Sequence, residues 1–491
     1  MATAVVEERQ LLKTLRWWDG FAICLANPGF MLAETGFILG IFGVVGAIVI
    51  WGISSIIALL QAWIYSEPAT MFPGRTGGIS LYANEGWRKY TTLIGPVATF
   101  GYWIGWSVVL SIFGKLIGDL ITYRWFPNAS TYFHIGNVAF GLPHVIAIGT
   151  IVIVWLFNVF GIRPFKWLTY VTGGLLMIPL FVLMFLPYIT GDWHSANVHA
   201  AFPGPWGGVK LVIVYLFIAA WSSYGTEAAA TFSPEYRDTV GETRKAFVSA
   251  ATFSLIVFTL VPLGVGGVTG VPSAATAEGQ YYVIAFQKMA GGVGSSIFLI
   301  CLIASFVLSM STSTGDAGRA LYGISRSGLT IKQFGRLNRF NVPGNAMTLD
   351  LVVNICLVLF ISSNLAILYM SNIGYVLCHV FALSGLLLLR KDRPNWPRPI
   401  KLATGWLPVV GFLCLLNLAF VIIGGGAPNL NGYGTWTDFA IGVGILGGSI
   451  LLFVFRRVVQ DRERVHFREK TPTVPEEAGE PTVASAMPVG G

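Results

Sequence analysis

Twelve apolar segments of about twenty residues each occupy most of this sequence, and they restrict its fold more than any other feature. A helix needs ~20 apolar residues to cross the hydrocarbon core of a bilayer. Charged residues make up only 11% of the 491 residues, whereas soluble domains contain ~25%. Because the chain lacks the charged surface of a soluble protein, we predict an all-α integral membrane protein. The twelve predicted spans are residues 17–38, 43–67, 92–118, 143–162, 167–190, 210–232, 247–270, 293–318, 346–362, 364–389, 405–425 and 437–456.

Lysine and arginine residues alternate between the two ends of these spans. Of the 31 such residues, 27 lie in the N-terminal arm, in every second loop or in the C-terminal segment. Cytoplasmic loops of membrane proteins are enriched in Lys and Arg. The pattern predicts a multi-pass protein of the plasma (inner) membrane with both termini cytoplasmic. Its parts are an arm over residues 1–16, a twelve-helix domain over 17–456, and a tail over 457–491 that is first basic and then disordered.

The same alternation accounts for the net charge of +8. Positive residues at the ends of spans favour contact with anionic lipid headgroups. We therefore expect membrane lipid as a partner and no nucleic acid.

Two spans contain helix-breaking residues near their centres. Asn27-Pro28-Gly29 interrupts the first span, and Ser222-Ser223-Tyr224-Gly225 interrupts the sixth. Free backbone groups in the middle of a membrane are costly unless a cavity or a ligand satisfies them. Breaks five spans apart are typical of inverted-repeat transporters, which hold their substrate between the two broken helices. The alternative is a proline kink in the first span and a Ser/Gly packing patch in the sixth.

Broken helices offer both charges that a zwitterionic amino acid requires. A half-helix N-terminus presents free N–H groups to an anion, and an unwound C-terminal end presents carbonyls to an ammonium group. In the third span, Tyr102 and Trp106 lie one turn apart on one face. They either line such a site or fill the bundle.

Three stretches resemble the amino acid–polyamine–organocation transporters. Residues 65–87 (YSEPATMFPGRTGGISLYANEGW) resemble the end of that family's second helix, residues 219–247 its sixth helix, and residues 318–347 the segment after its eighth. The resemblance extends over almost the whole chain between residues 17 and 456. It implies a fold of the LeuT type, a five-plus-five inverted repeat with broken helices 1 and 6 and two extra helices.

The resemblance also implies a function. It describes a secondary active transporter (a permease) that moves amino acids or related amines by alternating access, with the substrate carboxylate on helix-one amides and the amine on helix-six carbonyls. Asn27 and Pro28 stand where the family commonly has a Gly-rich segment, so a carrier of another small amine or metabolite is an alternative. A transporter-like nutrient sensor is a second alternative.

Site residues carry over by position. Trp221 would be an aromatic gate, and Glu227, the most deeply placed acidic residue, would couple the helix-six break to gating or proton movement. Glu67, the acidic residue of the first motif, is grouped with them, although hydration near a span end also explains it. The expected substrate-binding residues are Ala26, Asn27, Pro28, Gly29, Tyr102, Trp106, Trp221, Ser222, Ser223, Tyr224 and Gly225.

Hydroxyl groups in the eighth span leave the coupling ion open between H⁺ and Na⁺. Ser311, Thr312 and Ser313 carry oxygens that suit a hard cation such as sodium, or they bond to their own helix and its neighbours. The sequence contains no nucleophile–base motif, metal-ligand cluster or cofactor-binding loop. We therefore predict no enzymatic activity, no cofactor and no transition-metal site.

Overall fold

Long helices form wherever the sequence carries an extended apolar segment, because backbone groups in a membrane must bond within the chain. The computed structural model describes residues 10–202, 205–271, 280–428 and 434–470. Its α-helices are α1 (Trp17–Cys24), α2 (Ala26–Met71), α3 (Gly78–Trp87), α4 (Ile94–Ser107), α5 (Val109–Trp125), α6 (Leu142–Val159), α7 (Ile162–Thr190), α8 (Pro205–Ser223), α9 (Ala228–Thr231), α10 (Thr239–Thr269), α11 (Gln280–Arg326), α12 (Gly344–Phe360), α13 (Asn364–Asp392), α14 (Trp406–Ala419) and α15 (Trp436–Phe455). A hairpin of β1 (Thr131–Ile135) and β2 (Val138–Gly141) is the one sheet within these residues.

Within the described residues, ten helical runs are long and apolar enough to cross a membrane, so the chain is a multi-pass membrane protein. The longest run, Trp17–Met71, has 55 residues and would extend roughly 80 Å if it were straight, more than twice the ~30 Å hydrocarbon core. Gly43 divides this run, with φ of 66° and ψ of −178°. Beside it, the Phe42 carbonyl accepts a hydrogen bond from the Ala201 N–H at 2.9 Å. Another loop therefore holds the turn between the two halves.

The polar residues between the ninth and tenth predicted spans separate two helices. α12 has 17 residues, ends at Phe360, and is shorter than the ten runs. α13 begins at Asn364, and the Ser363 hydroxyl caps it by accepting the Ala366 N–H at 3.2 Å. Such a cap satisfies one of the free N–H groups at a helix start. The tail residues 471–491 and residues 1–9 of the arm lie outside the described residues.

The helices divide into an inner and an outer set according to their burial. In the run Ile94–Trp125, formed by α4 and α5, 89% of the apolar window is buried, compared with 22% in α6 and 28% in each of the runs containing α14 and α15. Large apolar side chains such as Phe412, Leu415 and Leu451 are exposed on the outer helices. An apolar surface of this extent requires lipid around it. The inner helices, which are shielded from lipid, are consequently the ones that can form a binding site.

Two interruptions occur among the inner helices. The first lies at Leu25 and not at the predicted Asn27-Pro28-Gly29, which is part of α2, whereas the second lies within the predicted Ser222-Ser223-Tyr224-Gly225. α1 ends at Cys24 and α2 begins at Ala26. Pro28 lies in the first turn of α2, where a missing N–H costs little. The sixth predicted span comprises α8, which ends at Ser223, a 3₁₀ turn over Gly225–Glu227, and the single-turn helix α9.

One face of the bundle, which we call the basic face, is formed by the start of α1, the ends of α2, α9, α11 and α13, and residues 456–470. Hydrogen bonds connect these segments directly. Arg75, after α2, donates to the Ser327 hydroxyl beyond α11 at 3.0 Å. The Thr92 hydroxyl, before α4, donates to the His466 carbonyl at 2.8 Å. The Leu15 N–H, before α1, donates to the Glu235 carbonyl, after α9, at 2.8 Å, so both ends of the described chain lie on this face.

Glu85 in α3 is the centre of a charge cluster on the basic face. Its side chain is 1% exposed and forms ion pairs with Arg75 at 2.9 Å, with Arg88 at 3.2 Å and with Arg393, which is equally buried. Burial on its own would raise the pKa of Glu85, but the three guanidinium groups, Arg75 foremost, lower it from 4.5 to about 2. The folded protein therefore favours the ionised form of Glu85 and gains stability from it.

Replacing Glu85 by glutamine is expected to lower thermal stability, because it leaves the buried Arg393 without its counter-charge. Removing one partner from a buried ion pair costs about 3–5 kcal/mol. The matched control is Glu463→Gln, because the Glu463 side chain is 59% exposed and pairs with Arg457 at 3.3 Å; its effect should stay within ~0.5 kcal/mol. Thermal unfolding in detergent micelles measures both variants, and equal melting temperatures would contradict the assignment.

The same pair predicts a pH dependence of stability. The stabilisation from Glu85 is complete above pH 4.5 and is lost as the pH falls towards about 2, because its pKa is lower in the folded than in the unfolded chain. Over this interval the melting temperature of Glu85→Gln should fall less steeply than that of the unaltered protein.

Candidate functional site

The interruptions of the first and sixth spans lie directly against each other. The Asn27 side-chain Nδ2 donates to the carbonyl of Ser223, the last residue of α8, at 3.1 Å. A carbonyl at a helix end lacks a helical partner, and Asn27 supplies one. The Ser223 hydroxyl pairs with that of Ser54 in α2 at 2.6 Å. The Asn27 Oδ1 is buried without a hydrogen-bond partner, so one acceptor stays unsatisfied at this junction.

Gly225 is the point of closest approach between the two broken helices. A Cβ atom at this position would overlap the Asn27 Oδ1 and would lie 3.2 Å from the Trp106 ring. A side chain therefore fits only if Asn27 or Trp106 moves. The glycine lets the 3₁₀ turn lie against α2.

An aromatic cluster joins α2, α4 and α8 beside the junction. The Trp221 indole N–H donates to the Gly105 carbonyl at 2.9 Å, and its ring stacks on Phe30 with centroids 5.3 Å apart. Phe30 also meets Trp106 edge-on at 5.3 Å. All three aromatic residues are 2% exposed. The sequence reasoning missed Phe30, although its place directly after Gly29 was a usable signal.

Glu227 connects the 3₁₀ turn to two other helices. Its Oε1 accepts the Tyr375 hydroxyl of α13 at 2.5 Å and the Trp106 indole N–H of α4 at 3.3 Å. Its Oε2 is buried without a hydrogen-bond partner. Tyr375 was not predicted from the sequence, since its contact with Glu227 depends on the packing of two distant segments.

The Ser222 side chain does not share the partner of Ser223. It points to Glu34, which lies further along α2 than Asn27. Its hydroxyl donates to Glu34 Oε2 at 2.7 Å, and the second oxygen of Glu34 is buried without a hydrogen-bond partner. Glu34 was not among the predicted site residues. The carboxylate lies about two turns beyond Asn27 in α2, on the side of the junction away from the basic face.

Two of the predicted residues face elements other than the junction. The Tyr224 ring packs on His379 of α13, with centroids 4.8 Å apart, and its buried hydroxyl has no hydrogen-bond partner. The Tyr102 hydroxyl pairs with that of Thr231 in α9 at 3.3 Å. Tyr102 therefore lies between the junction and the basic face.

The hydroxyl groups of α11 divide between different neighbours. Thr312 donates to the Ile23 carbonyl at 3.1 Å, and Ser309 donates to the Ala26 carbonyl at 3.2 Å. Ser311 instead accepts the Asn158 side-chain N–H at 3.1 Å. Ser313 has a buried hydroxyl without a hydrogen-bond partner. Of the three predicted sodium ligands, Thr312 faces the first span, and it is joined there by Ser309.

Glu67 lies on the basic face, near the end of α2, and not at the junction. It forms ion pairs with Arg390 at 2.5 Å and Arg398 at 3.2 Å. It also accepts the Leu402 N–H at 2.9 Å. The structure therefore separates Glu67 from Glu227, with which the sequence had grouped it.

The chain has long apolar helices, and two of its predicted spans are interrupted and in contact with each other. This arrangement is typical of a membrane transport protein. Residues 15–449 match the family model described as "Amino acid permease". The chain belongs to the amino acid permease family, which confirms its resemblance to the amino acid–polyamine–organocation transporters. It is a membrane transporter for amino acids or related amines.

Curated relatives are distant, and their names differ in the substrates they mention. The chain is 23% identical over 372 residues to the amino-acid permease RocE of Bacillus subtilis, covering 70% of this chain and 72% of the relative. It is 24% identical over 334 residues to an arginine/ornithine antiporter of Pseudomonas aeruginosa, covering 65% and 64%. It is 20% identical over 380 residues to the D-serine/D-alanine/glycine transporter of Escherichia coli K12, covering 72% and 77%.

Gly225→Ala is expected to reduce transport at least tenfold, because the added Cβ displaces Asn27 or Trp106 at the junction. Gly174→Ala is the matched control, since a Cβ at Gly174 in α7 would meet nothing within 4 Å. Uptake by reconstituted protein measures the effect, and size-exclusion chromatography shows whether each variant is folded. Normal uptake by folded Gly225→Ala would remove the junction from the site.

Proposed function

We propose that this protein is a secondary active transporter of the plasma membrane that moves an amino acid or a related amine by alternating access. The substrate lies between the interruptions of the first and sixth spans. The observation that carries this proposal is the contact of the Asn27 side chain with the Ser223 carbonyl. It brings two helix ends together in the inner part of the bundle, with the unsatisfied Asn27 Oδ1 beside them.

The two helix ends have opposite tasks in this proposal. α2 begins at Ala26, so its first turn offers N–H groups to the substrate carboxylate. Pro28 has no N–H, which leaves the amides of Ala26, Asn27 and Gly29. α8 ends at Ser223, so its last carbonyls, together with the Asn27 Oδ1, accept the substrate ammonium group.

We assign the remaining predicted residues to the walls and to the gate of this site. Trp106 forms a wall shared with Gly225, and the Trp221–Phe30 stack closes the site from the side of Glu34. Ser222, Ser223 and Tyr224 position the break through their contacts with Glu34, Ser54 and His379. Tyr102 lines the route towards the basic face.

We further propose twelve membrane crossings in a five-plus-five arrangement. The ten apolar runs become twelve when Trp17–Met71 is divided at Gly43 and the shorter helix α12 is counted. The basic face is then cytoplasmic, because positively charged residues are retained on that side. Both ends of the described chain would lie in the cytoplasm.

Counterflow in proteoliposomes tests the function. Vesicles are preloaded with a mixture of unlabelled cationic, small neutral and acidic amino acids and polyamines, and labelled candidates are supplied outside one at a time. The mixture includes cationic and small amino acids because the relatives are named for both. Accumulation of a labelled compound is expected. Binding of a candidate without counterflow would support the sensor alternative instead.

Trp221→Ala is expected to weaken substrate retention about tenfold in this assay. The variant loses the stack on Phe30 and the hydrogen bond to Gly105, and a factor of ten corresponds to ~1.4 kcal/mol. Trp167→Ala is the control, because Trp167 in α7 is 60% exposed. Unaltered affinity and rate in Trp221→Ala would exclude a gating role.

A further inference from the structure

Asp316 in α11 is a buried carboxylate that no step of the proposed function uses. It is fully buried, and neither of its oxygens has a hydrogen-bond partner of normal geometry among the described residues, although the Tyr102 and Thr231 hydroxyl groups lie close to them. It lies one helical turn beyond Thr312, which contacts the first span. Asp316 is therefore placed next to the junction, on the side towards the basic face.

Other buried carboxylates of the inner helices have at least one donor. Glu34 accepts the Ser222 hydroxyl at 2.7 Å, Glu227 accepts Tyr375 at 2.5 Å, and Asp350 accepts the Trp103 indole N–H at 2.6 Å. A carboxylate removed from water without a donor or a cation is very costly to keep ionised. In this conformation Asp316 therefore needs a cation. A proton neutralises the carboxylate without any further ligand, because it bonds to a single oxygen.

The titratable and charged groups around Asp316 belong to six elements. They are Arg319 on its own helix, Tyr102 on α4, Glu227 in the 3₁₀ turn, Cys24 on α1, Tyr375 on α13 and Asp350 on α12. The hydroxyls nearest in this set belong to Tyr102 and its partner Thr231, which bond to each other at 3.3 Å. Arg319 is the cation of this set, and Glu227 and Asp350 are its other carboxylates.

Arg319, the cation of this set, forms its ion pair with another acid. Its guanidinium group donates to both oxygens of the buried Glu235, through Nε to one and through Nη2 at 3.1 Å to the other. It also lies 4.3 Å from the centre of the Phe232 ring. The guanidinium group of Arg319 is thus hydrogen-bonded to Glu235, while its charge still acts on Asp316 from a distance.

The Arg319–Glu235 pair belongs to a layer that separates Asp316 from the basic face. Phe232 stacks on Phe165 of α7 with centroids 5.7 Å apart. The Glu235 carbonyl accepts the Leu15 N–H at 2.8 Å, which ties the segment before α1 to the layer. Alternating access requires this layer to part, and water then reaches Asp316.

We propose that Asp316 is a proton-binding residue of the transport cycle. It takes up a proton on one carboxylate oxygen while the Arg319–Glu235 layer is closed, and it releases that proton to water on the basic face when the layer opens. The proton bound on one side of the membrane and released on the other accompanies the substrate. This inference rests on the proposed alternating-access function, and it names the residue that couples it to protons.

Two assays on Asp316→Asn separate coupling from transport. Counterflow involves no net proton movement, so the variant is expected to retain it. Accumulation driven by an imposed pH gradient is expected to fall at least tenfold and to lose its dependence on external pH. The control is Asp350→Asn, which removes an equally buried carboxylate that has a donor and should keep gradient-driven accumulation.

The possible results decide the proposal separately from the proposed function. Gradient-driven accumulation by Asp316→Asn equal to that of the unaltered protein would overturn the role of Asp316. The role of Asp316 would also be overturned if the unaltered protein performs counterflow but accumulates substrate only with sodium, or regardless of pH. The proposed transport function would be unaffected by that result. Failure of the folded, unaltered protein to perform counterflow with any candidate would overturn the proposed function itself.

A second variant covers the case in which Asp316→Asn does not fold. Asp316→Glu keeps the carboxyl group and extends it by one methylene, so counterflow should persist while the midpoint of the pH profile of accumulation shifts. An unchanged midpoint in this variant would overturn the proposal.

Discussion

In the hydrocarbon core of a membrane every backbone N–H and C=O must find its partner inside the protein, and the rest of this structure depends on how two interruptions meet that condition. Asn27 provides the donor for the carbonyl at the end of α8. Ser309 and Thr312 provide donors for the carbonyls of Ala26 and Ile23, on either side of the first interruption. Side chains of α2 and α11 thus donate to backbone carbonyls around both interruptions. The two bonds from α11 tie that helix to the first span.

The acidic residues of the bundle fall into two groups with different physical roles. On the basic face, Glu67 and Glu85 are each bound by at least two guanidinium groups, which joins loops that are distant in sequence. Near the interruptions, Glu34 and Glu227 each accept from neutral donors on one oxygen and leave the other unpaired. Breaking a buried ion pair with arginine leaves an unpaired charge, whereas a hydrogen bond to a hydroxyl or an indole involves no opposite charge and can be exchanged at lower cost. The second group lies where a transporter needs groups that change between conformations.

The apolar helices and the break of the sixth span could be predicted from the sequence, because each depends on local features such as the length of an apolar run or a Ser/Gly segment within it. The first break lies at Leu25, two residues before the predicted Asn27-Pro28-Gly29, because a helix accepts proline in its first turn. The partners of the site residues could not be predicted. Glu227 meets Tyr375 across 148 residues, and only the packing of α13 determines that contact. The set Ser311, Thr312 and Ser313 shows a different difficulty. Successive residues of a helix point about 100° apart, so three consecutive hydroxyls cannot face one ion, whereas Ser309 and Thr312, three residues apart, share a face.

The site is bounded by two contacts of different strength, one between the broken helices and one towards the basic face. That difference affects how the protein changes conformation. Between the broken helices, the contact at the Ser223 carbonyl is an amide–carbonyl hydrogen bond from Asn27, with a net value of about 1 kcal/mol, and a substrate ammonium group can replace it at the same carbonyl. Towards the basic face, the Arg319–Glu235 pair is buried, paired through two hydrogen bonds and covered by Phe232. Separating the Arg319–Glu235 pair is favourable only if water or another group then binds both charged side chains. A ligand shifts a conformational equilibrium only by its differential affinity for the two states. The weak contact therefore suits substrate entry, and the strong pair keeps the opposite side closed until the occupied site favours its opening.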